Sequence, residues 1–560
     1  MSEQPKVVLD DRPAAGWTPM IFIGLGVALI IMDASIVNVI LPSIIRGLKI
    51  NSIDAEWINA TYSLTFAAFL IVMGRLGDRF GRRRIFMLGA GLFAVSSIAA
   101  ASATSGGLLI AARAVQGVGA AMMSPTSLSI VTGLYRGKAR AIAFALYGSI
   151  IGGMAAIGPL MGAWLTEHFS WHWSFWINVP ISLIIIVGSL KYVDEVKADD
   201  DSESPDLLGA LLSSLGIAAL IFALIEGRSY GWWLTTSDKK FLGHVWQQGG
   251  LSPVALSLIL SVVSLVLLYV IETRRTAAGK SALIDFHLFR IRSFGLGSFA
   301  GLIVSLGEFG ILFSLPLFLQ SVLGWSALGS GGLLAMLAVG AFVAAPTAAM
   351  LANKRNPRFV ARLGMGLEII GILGLAAVLS PDASGWSMVL WLFIYGMGVG
   401  YATAQLTGLI LSEIPPNKTG QASGTQSTAR QIGASMGTAI LGTVLFVTLH
   451  KYTEWRLTNE VPYLTTEKAR EVADLVEHSA GTAIPSLASM PNGLEIQAAA
   501  QQAFSAAISL SALVAAGFVF LGFLATFALP PGSAPGSASE VSSTDDSDNV
   551  DQTTLIHDFE

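Results

Sequence analysis

The feature that most constrains this chain is a series of apolar stretches separated by short polar breaks. A helix needs about 20 apolar residues to cross the hydrocarbon core of a bilayer. Only 12% of the 560 residues are charged, about half the share found in soluble domains. We therefore predict an all-α membrane protein with fourteen transmembrane helices, at 17–42, 56–75, 84–103, 107–131, 140–164, 172–193, 206–226, 251–271, 294–319, 326–351, 359–380, 386–412, 421–449 and 503–529.

The positions of Lys and Arg predict how the helices are oriented. Cytoplasmic loops are enriched in these residues. Loops after the even-numbered helices hold twenty of them, whereas the short loops on the other side hold five. This asymmetry predicts that both termini are cytoplasmic, which an even number of helices requires.

Three polar segments fall outside the helix pattern. Residues 1–16 are predicted to be a cytoplasmic segment without the features of a cleaved signal peptide. The tail at 530–560 is rich in Gly, Ser and Asp and is expected to be disordered and cytoplasmic. In the long external loop near 450–502, residues 465–479 have amphipathic spacing, which predicts a surface helix.

Composition excludes several function classes. The chain has no Cys, which excludes disulfides and thiolate metal or iron–sulfur sites. Acidic and basic residues nearly balance, so the basic surface of a nucleic-acid-binding protein is not expected. We predict no cofactor and no metal. A membrane-embedded haem enzyme or electron carrier is disfavoured because the seven His residues lie in predicted loops, tails or helix ends.

Four ionisable residues lie deep inside predicted spans: Asp33, Arg113, Glu308 and Arg430. Such charges are costly in a bilayer and usually line a water-filled cavity or pair with one another. Counted at about 1.5 Å per residue from the helix ends, Asp33 and Arg113 lie at similar depths. They could form a proton-sensitive pair. Alternatively, Arg113 only ties helices together, and Glu308 is a neutral, hydrogen-bonded acid.

The loop between the second and third predicted helices carries a recognisable motif. Residues 74–84 read Gly-Arg-Leu-Gly-Asp-Arg-Phe-Gly-Arg-Arg-Arg. This resembles the loop signature of the major facilitator superfamily. The implied cytoplasmic gate comprises Gly74, Gly77, Asp78, Arg79, Gly81, Arg82 and Arg83. Asp78 can pair with the arginines and form a latch.

Further segments resemble the fourteen-helix drug:proton antiporter family within that superfamily. They lie at 33–42, 113–119, 158–162, 173–180 and 420–437, so the likeness spans nearly the whole chain. Gly158, Pro159 and Gly162 match the antiporter motif, although Met154 and Ala163 stand where the family usually has Gly. Independently of the family, small residues favour close helix packing and Pro159 favours a kink, which could be purely structural.

The resemblance implies two six-helix halves, 17–193 and 293–529, with two inserted helices and their linkers at 194–292. It also implies proton-coupled export of small, mostly apolar or cationic compounds by alternating access, without enzymatic chemistry. Expected partners are the substrate, protons and the bilayer of a bacterial cell membrane, with the protein a monomer. Proton coupling is assigned to Asp33, Arg113 and Glu308, and the substrate cavity to Asn38, Asn59, Tyr62, Gln116, Glu308, Phe309, Tyr395 and Arg430. A dedicated exporter of one metabolite, lipid or siderophore remains an alternative.

Overall fold

The computed structural model describes residues 16–135, 137–195, 206–236, 238–241, 244–278, 282–414 and 419–529. The two predicted terminal segments therefore lie almost wholly outside the described residues. Several side chains within the helices, including that of Asp78, are also outside the description.

The described chain is helical almost throughout. The first seven helices are α1 (Thr18–Leu48), α2 (Ser52–Phe80), α3 (Arg82–Ala101), α4 (Gly106–Leu134), α5 (Gly137–His168), α6 (Trp173–Trp176) and α7 (Asn178–Tyr192). Two helices and a hairpin follow: α8 (Leu207–Tyr230), β1 (Lys239–Phe241), β2 (His244–Trp246) and α9 (Pro253–Ala277). The remainder comprises α10 (Arg292–Ser321), α11 (Ala327–Lys354), α12 (Pro357–Val378), α13 (Gly385–Leu411), α14 (Thr419–Glu460), α15 (Thr466–His478) and α16 (Gly493–Ala525).

Twelve of the described helical segments are long and apolar enough to span a membrane. They establish a multi-pass membrane protein. Helices α2 and α5 stand at the second and fifth predicted spans, with 29 and 32 residues, but are not among the twelve. Polar residues along α2, such as Asn59 and Thr61, lower its apolar character.

The structure refines the predicted architecture. The sixth predicted span, 172–193, is present as the apolar segment Trp173–Tyr192, in which a turn at Ile177 separates α6 from α7. A short hairpin of β1 and β2 pairs antiparallel between α8 and α9 of the otherwise helical fold. The thirteenth predicted span does not end at 449, since α14 continues to Glu460. Residues 450–460 are mostly polar, so the helix extends beyond its apolar part.

Polar residues begin the helices that follow short turns. The side chain of Asn51 accepts a hydrogen bond from the Asp54 amide, and Ser105 does the same for Leu108. Such caps satisfy amide groups that have no partner in the first helical turn. Local sequence thereby fixes where the bundle's helices start.

The helices pack as two groups with an insert. Helix α1 packs on α5 and α7, and α4 packs on α2 and α3. Helix α10 packs on α14 and α16, and α13 packs on α11 and α12. The groups meet where α5 contacts α11 and where α2 contacts α14, while α8 and α9 pack together and α8 also contacts α2 and α14. A central interface therefore lies between the two groups.

The amphipathic helix predicted at 465–479 is present as α15. Four apolar residues on one side of it are buried: Ala469, Val472, Ala473 and Val476. Its polar side meets α14, where the Nδ1 atom of His450 lies 3.5 Å from an Asp474 oxygen and 3.2 Å from a Glu477 oxygen. Helix α15 thus covers the extended end of α14.

Candidate functional site

A cavity of about 300 Å³ lies between the two helix groups. Most of its lining is apolar, including Ile31, Phe66, Phe309 and Leu337. The polar lining comprises Ser35, Asn38, Ser124, Tyr147, Ser305, Glu308, Ser427, Arg430 and Gln431. An apolar chamber with a few convergent polar groups is the usual form of a small-molecule site.

Two opposite charges face this cavity from the same helix group. Glu308 lies on α10 and Arg430 on α14, and both side chains are half-buried. The Nε atom of Arg430 donates to the Ser305 hydroxyl at 3.5 Å. The positive charge of Arg430 also acts on the Glu308 carboxyl. Both residues were predicted to line the cavity from their depth in apolar spans.

Asp33 and Arg113 lie together, as their depths predicted. The Nη1 atom of Arg113 forms an ion pair with Asp33 Oδ2, and each side chain is 1% exposed. The guanidinium also lies over the Tyr62 ring, 4.2 Å from its centroid. This pair lies behind the cavity, sealed within α1, α2 and α4.

Neutral polar groups complete this cluster. Asn178 Nδ2 donates to Asp33 Oδ1 at 2.8 Å, and Arg113 Nη1 donates to Gln116 Oε1 at 3.0 Å. Gln116 in turn donates to the Ser97 hydroxyl at 2.8 Å. Neither Asn178 nor Ser97 was predicted from the sequence to belong to a site. Asn178 occupies the start of α7 immediately after the Ile177 break, in a segment that was noted only as a family motif.

The predicted cavity residues divide into two sets. Asn38, Glu308, Phe309 and Arg430 line the cavity. Asn59 donates to the Asn38 amide oxygen at 3.1 Å from the adjoining helix.

The other three lie away from the lining. Tyr62 and Gln116 belong to the Asp33 cluster, and Tyr395 is buried on α13 at 1% exposure.

The predicted gate motif folds as the junction between α2 and α3. Gly81 has φ +105°, a left-handed conformation that strongly favours glycine. A Cβ atom at Gly77 would lie 2.6 Å from Thr126 Cγ2, so α2 can approach α4 only with glycine there. At Gly74 a Cβ atom would lie 3.4 Å from Pro125 Cβ, an ordinary contact. Arg79 is exposed, and Arg82 Nη1 donates to the Ser129 carbonyl at 3.1 Å. The predicted side-chain role of Asp78 lies outside the described residues.

An acid that was not predicted from the sequence contacts the start of α3 at this junction. Glu195 follows α7 and accepts a hydrogen bond from the Arg83 amide at 2.9 Å. Its other oxygen lies 3.8 Å from the Nε atoms of both Arg83 and Arg84. Arg83 also donates to the Val193 carbonyl at 2.9 Å. The start of α3 is therefore tied to the end of α7.

The antiporter motif forms a close contact between α5 and α1. A Cβ atom at Gly158 would lie 3.0 Å from the Met32 carbonyl oxygen, and one at Gly162 would lie 2.8 Å from Ile36 Cγ2. Pro159 lines the cavity, and its carbonyl oxygen would lie 2.7 Å from a Cβ atom at Gly331 of α11. The motif thus lies where the two helix groups meet.

The groups also contact each other at one end of the bundle, the end opposite Trp17, which we call the far end. Gln320 at the end of α10 donates to the Val39 carbonyl at 2.9 Å. The Leu328 amide at the start of α11 donates to Glu167 Oε2 at 3.1 Å. These bonds join the two groups at the far end.

The chain is similar in sequence to one family of membrane transporters. The family model described as Major Facilitator Superfamily matches residues 23–438. The multidrug resistance protein Stp of Mycobacterium tuberculosis is 30% identical over 444 residues, which cover 79% of this chain and 78% of that protein. The tetracenomycin C resistance and export protein of Streptomyces glaucescens is 28% identical over 445 residues, covering 80% and 78% respectively.

The fold has relatives among solved structures. The inward-facing, unoccupied structure of a bacterial homologue of the human lysosomal transporter Spinster aligns with a TM-score of 0.58 at 17% identity. The alignment covers 92% of this chain and 98% of that one. At this identity, the likeness concerns the fold alone.

Proposed function

Because this chain belongs to the major facilitator superfamily, we propose that it is a multidrug-type exporter of small, mostly apolar or cationic compounds. Relatives that bear the names of drug resistance and export proteins support this proposal. The observation that carries it is the central cavity, whose apolar lining is interrupted by Glu308 and Arg430. Such a lining suits hydrophobic compounds of varied shape and offers a carboxylate to cations.

Alternating access is the proposed transport mechanism. Two hydrogen bonds between the helix groups lie at the far end, at Gln320 and Leu328, and another, from the Ser435 hydroxyl to the Ala60 carbonyl at 2.8 Å, is buried between α14 and α2. The positively charged loops support a cytoplasmic location for the end opposite the far end. The described conformation is then inward-facing, and export requires the far-end contacts to break while the opposite end closes. Rocking of two halves about a central site is typical of such folds.

Protons are the proposed energy source. Asp33 and Arg113 supply one site, in which protonation of Asp33 would remove the charge that neutralises the guanidinium. Glu308 supplies another within reach of substrate. Coupling requires that protonation favours one conformation over the other. Rearrangement of the polar cluster at α1, α4 and α7 offers that difference.

The number and arrangement of the membrane spans are part of the same proposal. Fourteen spans in a 6 + 2 + 6 arrangement follow if α2 and α5 also cross the membrane, with α8 and α9 as the insert. Both termini are then cytoplasmic, and a monomer contains the complete cavity. Transport requires no chemical conversion of the substrate.

The proposal is tested with purified protein in liposomes under an imposed pH gradient. We expect movement of ethidium and of neutral apolar compounds against their concentration gradients, abolished by an uncoupler. Transport of one compound out of a broad panel would favour the dedicated exporter instead. Transport that persists unchanged with an uncoupler would contradict proton coupling.

A further inference from the structure

Glu368 is a buried acid outside the predicted proton-coupling set. It lies on α12 with 0% exposure, eleven residues after Pro357 and therefore about 16 Å along the helix. Among the described residues, neither of its carboxyl oxygens has a hydrogen-bond partner. An ionised carboxylate without partners in a low-dielectric interior is far less stable than the neutral acid. This environment favours the neutral, protonated form of Glu368.

Close packing of α12 on α13 encloses the Glu368 side chain. A Cβ atom at Gly398 of α13 would lie 2.8 Å from Glu368 Cγ. A Cβ atom at Gly364 of α12 would lie 2.7 Å from the Gly398 carbonyl oxygen. The backbones of the two helices are thus in contact next to the carboxyl group. Water has no room to approach it from α13.

The neighbours of Glu368 connect it to the cavity. The charges of Glu308 on α10 and Arg430 on α14 act on its carboxyl through space, without a hydrogen bond. Both acids act in the same way on the Tyr395 hydroxyl of α13, which has no hydrogen-bond partner among the described residues. One guanidinium balances only one carboxylate. Two ionised acids would leave a net negative charge in the core, so one proton on the two acids is favoured.

We propose that Glu368 is a second proton carrier, which exchanges its proton with Glu308 in the cavity. In this step the O–H bond at Glu368 breaks and a new O–H bond forms at the Glu308 carboxylate. The Glu368 carboxylate then becomes the charge that balances Arg430. The Tyr395 hydroxyl can both donate and accept a proton, and a relay through it requires a helix rearrangement that brings it into hydrogen-bond contact with the acids.

This role rests on the proposed export function and adds one proton to those carried in each transport cycle. Glu308 lies in the cavity, where a cationic substrate displaces its proton by competing for the carboxylate. A proton on Glu368 is shielded from that competition until the helices rearrange. The C-terminal helix group then carries a proton independently of Asp33.

The stored proton is tested by infrared spectroscopy on the purified full chain. We expect one carboxylic acid carbonyl band of the wild type to be absent in Glu368→Gln and retained in Glu471→Gln. Glutamine has the shape of the neutral acid, so the variant should fold. Glu471 lies exposed on α15 and is the matched control. An unchanged acid region in Glu368→Gln would overturn the proposal.

The carrier role is tested in liposomes with ethidium as the probe. The ethidium gradient sustained at equilibrium is measured at several imposed pH gradients, which gives the number of protons exchanged per ethidium. We expect that number to fall by one in Glu368→Gln and to stay unchanged in Glu471→Gln. An unchanged number would show that Glu368 is a static buried acid. Wild-type protein that does not move ethidium would overturn the export function and the carrier role, while the infrared band would still decide whether Glu368 is protonated.

Discussion

Asp33 of α1 and Arg113 of α4 form an ion pair in which each side chain is only 1% exposed. Burial of two charges is unfavourable unless further hydrogen bonds satisfy them. Asn178 bonds the carboxylate and Gln116 bonds the guanidinium, so the surrounding amides meet this need. A change in the charge of Asp33 would therefore disturb three helices, α1, α4 and α7, at once.

The first prediction concerns Asp33→Asn. Loss of the carboxylate leaves Arg113 buried without its counter-ion, which typically lowers stability by about 3 to 5 kcal/mol. We expect the variant to insert but to show a lower unfolding temperature and no gradient-driven export. Thermal unfolding in detergent and ethidium transport in liposomes measure the two effects.

A double variant separates stability from coupling. In Asp33→Asn with Arg113→Gln both charges are absent, so most of the lost stability should return. Export should remain absent if the pair carries the proton. Recovery of proton-driven export in the double variant would show that the pair is purely structural.

The second prediction concerns the junction between α2 and α3. Glu195→Gln keeps the size of the side chain but removes the charge that faces Arg83 and Arg84. We expect α3 to be held less firmly to the end of α7, with greater labelling there of single cysteines introduced into this Cys-free chain. Glu471→Gln serves as the control. Identical labelling in both variants would argue against a role for Glu195 in holding α3 to α7.

The sequence predicted the depth of polar side chains in the membrane better than the side of the helix on which they lie. The depth of Asp33 and Arg113 follows from the regular rise of a helix, and the structure brings them together. Tyr62 and Gln116 were assigned to the cavity at similar depth, yet they face the ion pair behind it. Rotation about the helix axis depends on the packing of neighbouring helices, which a single sequence does not specify.

The missed residues lacked a distinctive local signal. Glu195 lies after a span, where acids are ordinary, and its role appears only when the end of α7 meets the start of α3. Ser97 and Asn178 are neutral polar residues, which membrane helices carry for many reasons. Glu368 is the exception, since an acid inside the predicted span 359–380 is itself a signal, but its missing hydrogen-bond partners are visible only in three dimensions.

The third prediction tests the contact between α5 and α1. In Gly158→Ala the new methyl group would lie 3.0 Å from the Met32 carbonyl oxygen, so the helices must separate slightly. Overpacking of this kind typically lowers stability by about 1 to 3 kcal/mol. Gly366→Ala is the matched control, since a Cβ atom there meets nothing within 4 Å. Equal unfolding temperatures for the two variants would contradict the tight packing inferred for the motif.

The fourth prediction tests whether the far end opens during transport. Cysteines replace Glu167 and Leu328, whose carboxylate and amide lie 3.1 Å apart. We expect a cleavable bis-maleimide cross-linker to stop export and cleavage of the linker to restore it. Each single-cysteine variant, treated in the same way, should keep its activity. Full export by the cross-linked protein would exclude opening at this position.

The last prediction concerns Glu308, which faces the cavity from α10 together with Phe309 and Arg430. A carboxylate in an apolar chamber attracts cationic substrates because little water screens the interaction there. Glu308→Gln keeps the side-chain shape but removes this charge. We therefore expect the loss of resistance to ethidium, with export of neutral apolar compounds retained, in growth assays with a pump-deficient bacterial host. Loss of both activities would favour a role in proton coupling, and wild-type transport of both classes at normal expression would show that Glu308 is structural.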